Sequence, residues 1–192
     1  MSITRNIINA VRIGYRRMFQ RQEDARTRAV VDVLKQMSLF EGLAWGTMWE
    51  LAEVLHQRRY KRDEFIYYEH DPGIGLYIVQ QGVVRLLAED ENGNVHELRQ
   101  VGDNDFFGAL SLMGDFRRME TAQAATETHV LGLFSPDLKT LLKRNPSVGA
   151  AVMAALARHL AEQQVELVQR LAKNEGAVSA RRLLRGTAKR GA

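Results

Sequence analysis

No cysteine occurs among the 192 residues, so neither a disulfide nor a thiolate metal site can support this fold. A reducing cytoplasm suits such a chain, and a cytoplasmic location is the expectation. No apolar run approaches the ~18 residues of a membrane span. The opening residues carry arginines without the continuous apolar core and small-residue cleavage site of a secretory signal, and none is expected. His56, His70, His96, His129 and His159 are scattered, with no His-x-His pair of the kind a jelly-roll metal enzyme displays, so no metal site is predicted. No nucleophile, base and oxyanion arrangement can be assembled either, which argues against an enzyme.

What is present is enough chain for one domain with a real core plus appended helices. The formal net charge of +4 conceals an uneven distribution. Residues 1–37 hold eight basic residues (Arg5, Arg12, Arg16, Arg17, Arg21, Arg26, Arg28, Lys35) against three acidic ones. Residues 170–192 hold seven (Arg170, Lys173, Arg181, Arg182, Arg185, Lys189, Arg190) against Glu175, while the middle has 12 basic and 19 acidic. Basic ends of this kind suit nucleic acid, an anionic membrane surface, or the acidic middle of the same or a partner chain. For the tail, a solvated, frayed end is an equal alternative.

Ile3, Ile7, Ile8, Val11, Tyr15, Met18 and Phe19 recur at helical spacing between arginines, predicting a basic amphipathic helix over 2–36, broken near Gln22–Asp24. Its apolar stripe packs on the domain or a second subunit, or lies on a membrane. Thr47 and Glu50 then fit a capping box, predicting a helix over 47–56 with Trp49, Ala52 and Leu55 on its apolar face. Trp45 and Trp49 are assigned to the core. From about 58 to 134 the period becomes two, with FIYYE, LYIVQ, VVRLLA, VHELRQV and HVLGLF as the clearest strands. Gly82 suits a turn with positive φ, and Asn92-Gly93 is the strongest hairpin signal.

Many short antiparallel strands at this spacing indicate a jelly-roll or β-roll barrel. Ser135-Pro136 then caps a short helix to about Arg144, and Asn145-Pro146 opens a longer one to about Lys173, where Asn174-Glu175-Gly176 stops it. At 1.5 Å per residue these ~28 residues span ~42 Å. Val152, Leu156, Leu160, Gln163, Leu167 and Leu171 approximate a coiled-coil seam, which predicts a homodimer.

The passage FGALSLMGDFRRMETAQA, residues 107–124, resembles the phosphate-binding cassette of cyclic-nucleotide-binding domains. Gly108, Leu110, Ser111 and Leu112 fit the cassette's opening, and Arg118 stands nine residues after the position of its glutamate, which here is Ala109. The resemblance implies that amides at a helix N-terminus and the Arg118 guanidinium hold a cyclic phosphate. It also implies a lost ribose contact, because Ala109 cannot accept a hydrogen bond from a hydroxyl. Met119 and Glu120 stand where the family prefers small residues, with Thr121 completing the rim. Two arrangements stay open: a phosphate on Arg118, or Arg118 paired with Glu120 or Asp115 and no nucleotide. Arg117 is the register rival, expected to face solvent.

EFIYYEHDPGIGLYIVQQGVVRLL also resembles the family's strand, Glu-Gly-Asp turn, strand, Gly turn and strand, with His70 and Asp63 replacing glycines. In VGDNDFFGA, Asn104 replaces another, and asparagine tolerates a left-handed backbone there. In catabolite-activator-type members the long helix dimerises the chain and faces the nucleotide base, a role the resemblance offers to His159, Gln163 or Gln164. The 19 residues beyond Lys173 show no second amphipathic helix, so DNA binding in the family's manner is not expected.

The expected fold is mainly β with flanking helices, a double-stranded β-helix barrel with N-terminal helices and a long C-terminal helix. Its parts are 1–36 (basic helical segment), 37–145 (β-roll domain), 146–173 (dimerisation helix) and 174–192 (basic tail). The expected function is a regulatory sensor domain with a degenerate cassette for cyclic AMP or cyclic GMP, signalling through its terminal helices to a protein partner. The alternative is a nucleotide-free interaction or scaffold module that docks through its basic helices on a partner or an anionic membrane.

Overall fold

The computed structural model describes residues 24–177. The stripe expected from Ile3 to Phe19 and most of the basic tail lie outside them. The chain divides after Ala151 into two compact units.

Residues 24–36 form helix α1, whose Val30, Val31, Val33 and Leu34 are buried while the intervening charges stay in solvent. A 3-10 turn (Ser38–Phe40) leads to α2 (Trp45–Glu53). That helix starts two residues earlier than predicted. Its N-cap is Ala44 with no side-chain cap bond, so Thr47 and Glu50 form no capping box; Glu50 instead accepts two bonds from Asn145 Nδ2, at 2.9 and 2.8 Å. The starting point rotates the buried face to Met48, Leu51 and Ala52. Trp45, assigned to the core, is 53% exposed and lies tilted against half-buried Trp49, ring centroids 4.9 Å apart.

Eight strands follow: β1 (His56–Tyr60), β2 (Phe65–Tyr67), β3 (Gly75–Gln81), β4 (Val84–Glu89), β5 (Val95–Val101), β6 (Phe106–Phe107), β7 (Thr121–Ala124) and β8 (Thr128–Phe134). They form two four-stranded antiparallel sheets, ordered β1-β8-β3-β6 and β2-β7-β4-β5, a β-roll that does not close into the expected barrel. In β3 and β8 both faces are buried. Tyr77, Val79 and Val130 join the core of the roll, while Leu76, Ile78, Leu131 and Leu133 are fully buried on the opposite side. This is why LYIVQ and HVLGLF read as continuous apolar runs rather than alternating ones. Strand β5 is an edge of its sheet and only Val101 is buried, so its charges remain solvated and blunt the open edge.

Turn chemistry agrees with the sequence. Gly82 (φ +102°) and Gly93 (φ +83°) take the left-handed conformations their turns require. In the second, Asp90 accepts bonds from the amides of Asn92 and Asn94 and pairs with His96 at 2.9 Å. The His96 bond and then the Asn94 bonds hold its carboxyl well below the usual carboxylate range. Asp63 (φ +65°), His70 (φ +67°) and Asn104 (φ +63°), the three positions that depart from the family's glycines, are all left-handed. An L-residue is strained there. Asp63 is compensated by Arg85 at 2.8 Å and Asn104 by Gln36 at 3.1 Å, whereas the exposed His70 imidazole makes a long contact to Glu69 at 3.9 Å. We therefore expect His70→Gly to raise unfolding stability by about 0.5–1 kcal/mol, read from urea denaturation; a loss would show that the imidazole contributes more than the strain costs.

After β7 and β8 the chain forms two more helices, α4 (Ser135–Arg144) and α5 (Pro146–Glu175), with the short α3 (Leu110–Met113) lying earlier, between β6 and β7. Ser135 does not cap α4 as predicted; its hydroxyl donates to the carbonyls of Ser111 (3.1 Å) and Ile74 (3.4 Å), tying α4 to the segment around α3. Asn145 does cap α5, its Oδ1 accepting from the Val148 amide at 3.4 Å, and Gly176 (φ +91°) follows the last turn. Along α5, Val152 and Leu156 are fully buried, Val165 and Leu167 are more than half exposed, His159 is half-buried, and Gln163 and Gln164 are exposed.

Candidate functional site

The inner face of the second sheet brings the chemistry together. In β7, Ala122 and Ala124 are fully buried, and the bend that precedes the strand carries a buried Arg118 and a half-buried Glu120. Arg118 is 3% exposed, while Arg117 is exposed and donates to the His70 carbonyl at 2.7 Å. The register rivalry between the two arginines is thus resolved by burial and by the carbonyls each one reaches.

Arg118 Nη2 donates to the Gly75 carbonyl at 2.9 Å and Nη1 to the Gly108 carbonyl at 3.3 Å. Its Cζ lies 4.0 Å from the ring centroid of Tyr67 and 5.6 Å from that of Tyr77. Such stacking offsets part of the cost of removing a guanidinium from water. The third nitrogen, Nε, is buried with no acceptor. Among the described residues Arg118 has no carboxylate partner, so the arrangement in which it pairs with Glu120 or Asp115 is not adopted.

Gly108 sits at the centre of this arrangement. Its φ is +77°, its carbonyl also accepts the Ser111 amide at 3.3 Å, and a Cβ there would run into Arg118 Nη1. Ala109 is buried and Leu110 is 44% exposed at the first position of α3, where an amide has no intrahelical acceptor. Ser111 is buried, its side chain pressed against Gly73, a position with no room for a Cβ. Met119, the bulky rim residue, is 68% exposed and does not fill the space beside Arg118. Thr121 is occupied locally, its Oγ1 accepting the Glu69 amide at 2.9 Å.

Glu120 is the unexpected member. Its Oε1 accepts the Tyr67 hydroxyl at 2.7 Å, which places a carboxylate among the residues that surround the guanidinium. Burial, and then the neighbouring carboxylate, push the Tyr67 phenol far above its ordinary value, so it stays protonated and donates. Tyr67 packs beside Tyr77 and Phe107, with ring centroids 5.9 Å away in both cases, and Tyr77 stacks on Phe107 at 5.4 Å. Tyr67, Tyr77 and the Gly75 carbonyl were not found by sequence reasoning. The two aromatics were visible in FIYYE and LYIVQ only as strand residues, and a carbonyl carries no side-chain signature.

The cyclic nucleotide-binding domain model matches residues 57–145. A cyclic AMP receptor protein of Thermus thermophilus is 37% identical over 135 residues, which cover 70% of this chain and 62% of the relative. This chain thus spans about three-fifths of that relative's length. Among solved structures, the N-terminal domain of a transcriptional regulator from Streptomyces coelicolor A3(2) shows 32% identity and a TM-score of 0.64, covering 70% of this chain and 94% of that one. The catabolite activator protein of Thermus thermophilus shows 30% identity and a TM-score of 0.57, covering 71% of each.

Proposed function

From the premise that the chain belongs to the cyclic nucleotide-binding domain family, we propose that it is a regulatory domain whose Arg118 cassette receives the phosphate of cyclic AMP or cyclic GMP. The observation that carries this reading is a buried guanidinium with no carboxylate partner and one unsatisfied nitrogen. A buried guanidinium with no direct ion pair and an unmet donor is costly, and a phosphate supplies a directly bonded charge and the missing acceptors. Gly108 gives the backbone room to approach such a group, and the amide of Leu110 is free to donate to it.

The ribose side is weaker by design of the sequence. A hydroxyl placed against Ala109 goes unpaired, at a cost of roughly 1–3 kcal/mol. The ligand acts as a signal only if it binds two arrangements of the cassette unequally, and the terminal helices then carry the difference to a protein partner. Exposed Val165 and Leu167 on α5 suit pairing of that helix with a second copy. The reading is non-catalytic and cytoplasmic; no helix among the described residues is long and apolar enough to cross a membrane.

A second reading, a module that has lost its nucleotide and works by docking alone, is favoured by one feature: an apolar Ala109 and an anionic Glu120 flank the same cassette. Isothermal titration of the full chain with cyclic AMP and cyclic GMP separates the two. Saturable heat with either nucleotide is the expected result. Its absence with both at millimolar ligand would overturn the nucleotide reading.

A further inference from the structure

Arg118 and Glu120, separated by exposed Met119 in the bend before β7, both lie against Tyr67. They nevertheless make no ion pair. The guanidinium is turned to the carbonyls of Gly75 and Gly108, and the carboxylate is turned to the hydroxyl of Tyr67, whose ring face lies 4.0 Å from Arg118 Cζ. Tyr67 therefore separates the two charges while touching both. A buried cation and a half-buried anion thus sit on the same tyrosine before any ligand enters.

We propose that Glu120 is an internal counter-anion, held inward by Tyr67, that weakens the binding of anionic ligands at Arg118 and narrows the preference of the site for a phosphate over an uncharged nucleoside. The inference rests on the reading of Arg118 as a phosphate site. An anion that reaches the guanidinium also meets the field of the carboxylate, in surroundings where charges are screened less than in water. Tyr67 cannot relieve the repulsion, because its phenol is a donor already committed to Glu120 and only becomes available if the carboxylate leaves. A small uncharged residue at position 120 removes the penalty without altering the guanidinium.

The experiment titrates the full chain and its Glu120→Gln and Glu120→Ala variants with cyclic AMP and with adenosine, after thermal unfolding has confirmed that each variant folds. Glutamine keeps the shape and an oxygen for Tyr67 while removing the charge; alanine removes both. The expected result is cyclic AMP bound roughly tenfold more tightly by both variants than by the parent chain, with adenosine affinity unchanged. Equal or weaker cyclic AMP binding by Glu120→Gln overturns the inference, and weaker binding assigns Glu120 the role of a hydroxyl acceptor in place of Ala109. A parallel gain for adenosine also overturns it, since a charge effect acts on the charged ligand alone. If the parent chain binds cyclic AMP and Glu120→Gln matches it, only this inference fails. If no variant gives heat with cyclic AMP, the phosphate reading of Arg118 fails with it.

Discussion

Replacing Arg118 by alanine is expected to lower cyclic AMP affinity by about a hundredfold and to destabilise the fold by about 2–4 kcal/mol. The two effects share one origin. A charge-assisted, forked contact to phosphate contributes about 2–3 kcal/mol of binding, which a methyl group cannot replace. In the free protein the same side chain satisfies the buried carbonyls of Gly75 and Gly108 and lies over Tyr67, so its loss withdraws donors and a cation–π contact together. Titration below the unfolding temperature separates binding from folding. Arg118→Lys refines the answer, because it keeps the charge and loses the fork; it should recover part of the affinity and little of the carbonyl bonding. Affinity that survives Arg118→Ala in a folded protein would remove Arg118 from the site.

The second large effect is expected at Gly108. Substitution by alanine there should lower unfolding stability by about 3 kcal/mol, and the same substitution at Gly42 by only about 1 kcal/mol. The two glycines have nearly the same backbone, φ +77° and +79°, so the strain of a left-handed L-residue is common to both. They differ in surroundings. A Cβ at Gly42 meets nothing within 4 Å, whereas one at Gly108 meets Arg118 Nη1 and lies 3.1 Å from the Gly75 carbonyl. The difference between the two variants, measured by denaturant unfolding, reports the contact alone. Equal losses would show that Arg118 moves aside freely and is not held by its carbonyls.

Much of the fold was legible because its signals are local. Gly82, Gly93, Asn104 and Gly176 mark backbone conformations that few residues accept, and Asn145-Pro146 marks a helix start whatever surrounds it. The two other left-handed positions, His70 and Asp63, were noticed only as departures from glycine, since neither residue by itself demands such a backbone. Signals that depend on partners read less well. Trp45 is as apolar as any core residue yet lies outside, because α2 begins at Trp45 and turns Met48 and Leu51 inward instead. Ser135 has the chemistry of a cap, but two carbonyls from other segments claim its hydroxyl. Strands β6 and β7 are two and four residues long, too short for a period of two to stand out, and they were absorbed into the cassette motif.

The same division runs through FGALSLMGDFRRMETAQA. The sequence by itself determined the order of elements, the family, and the residues Gly108 and Arg118 at the spacing a phosphate site needs, because these follow from residue type and separation along the chain. It also determined that Ala109 cannot serve as an acceptor. Only the tertiary structure decided that Arg118 is turned to the Gly75 and Gly108 carbonyls under Tyr67 rather than to a carboxylate, that Met119 faces solvent, and that Glu120 sits on the same tyrosine. The reason is physical: positions 118 and 120 lie in a bend whose side-chain directions no period predicts, and the Gly75 carbonyl and the Tyr67 hydroxyl that claim them come from strands 43 and 53 residues away, which no local pattern encodes.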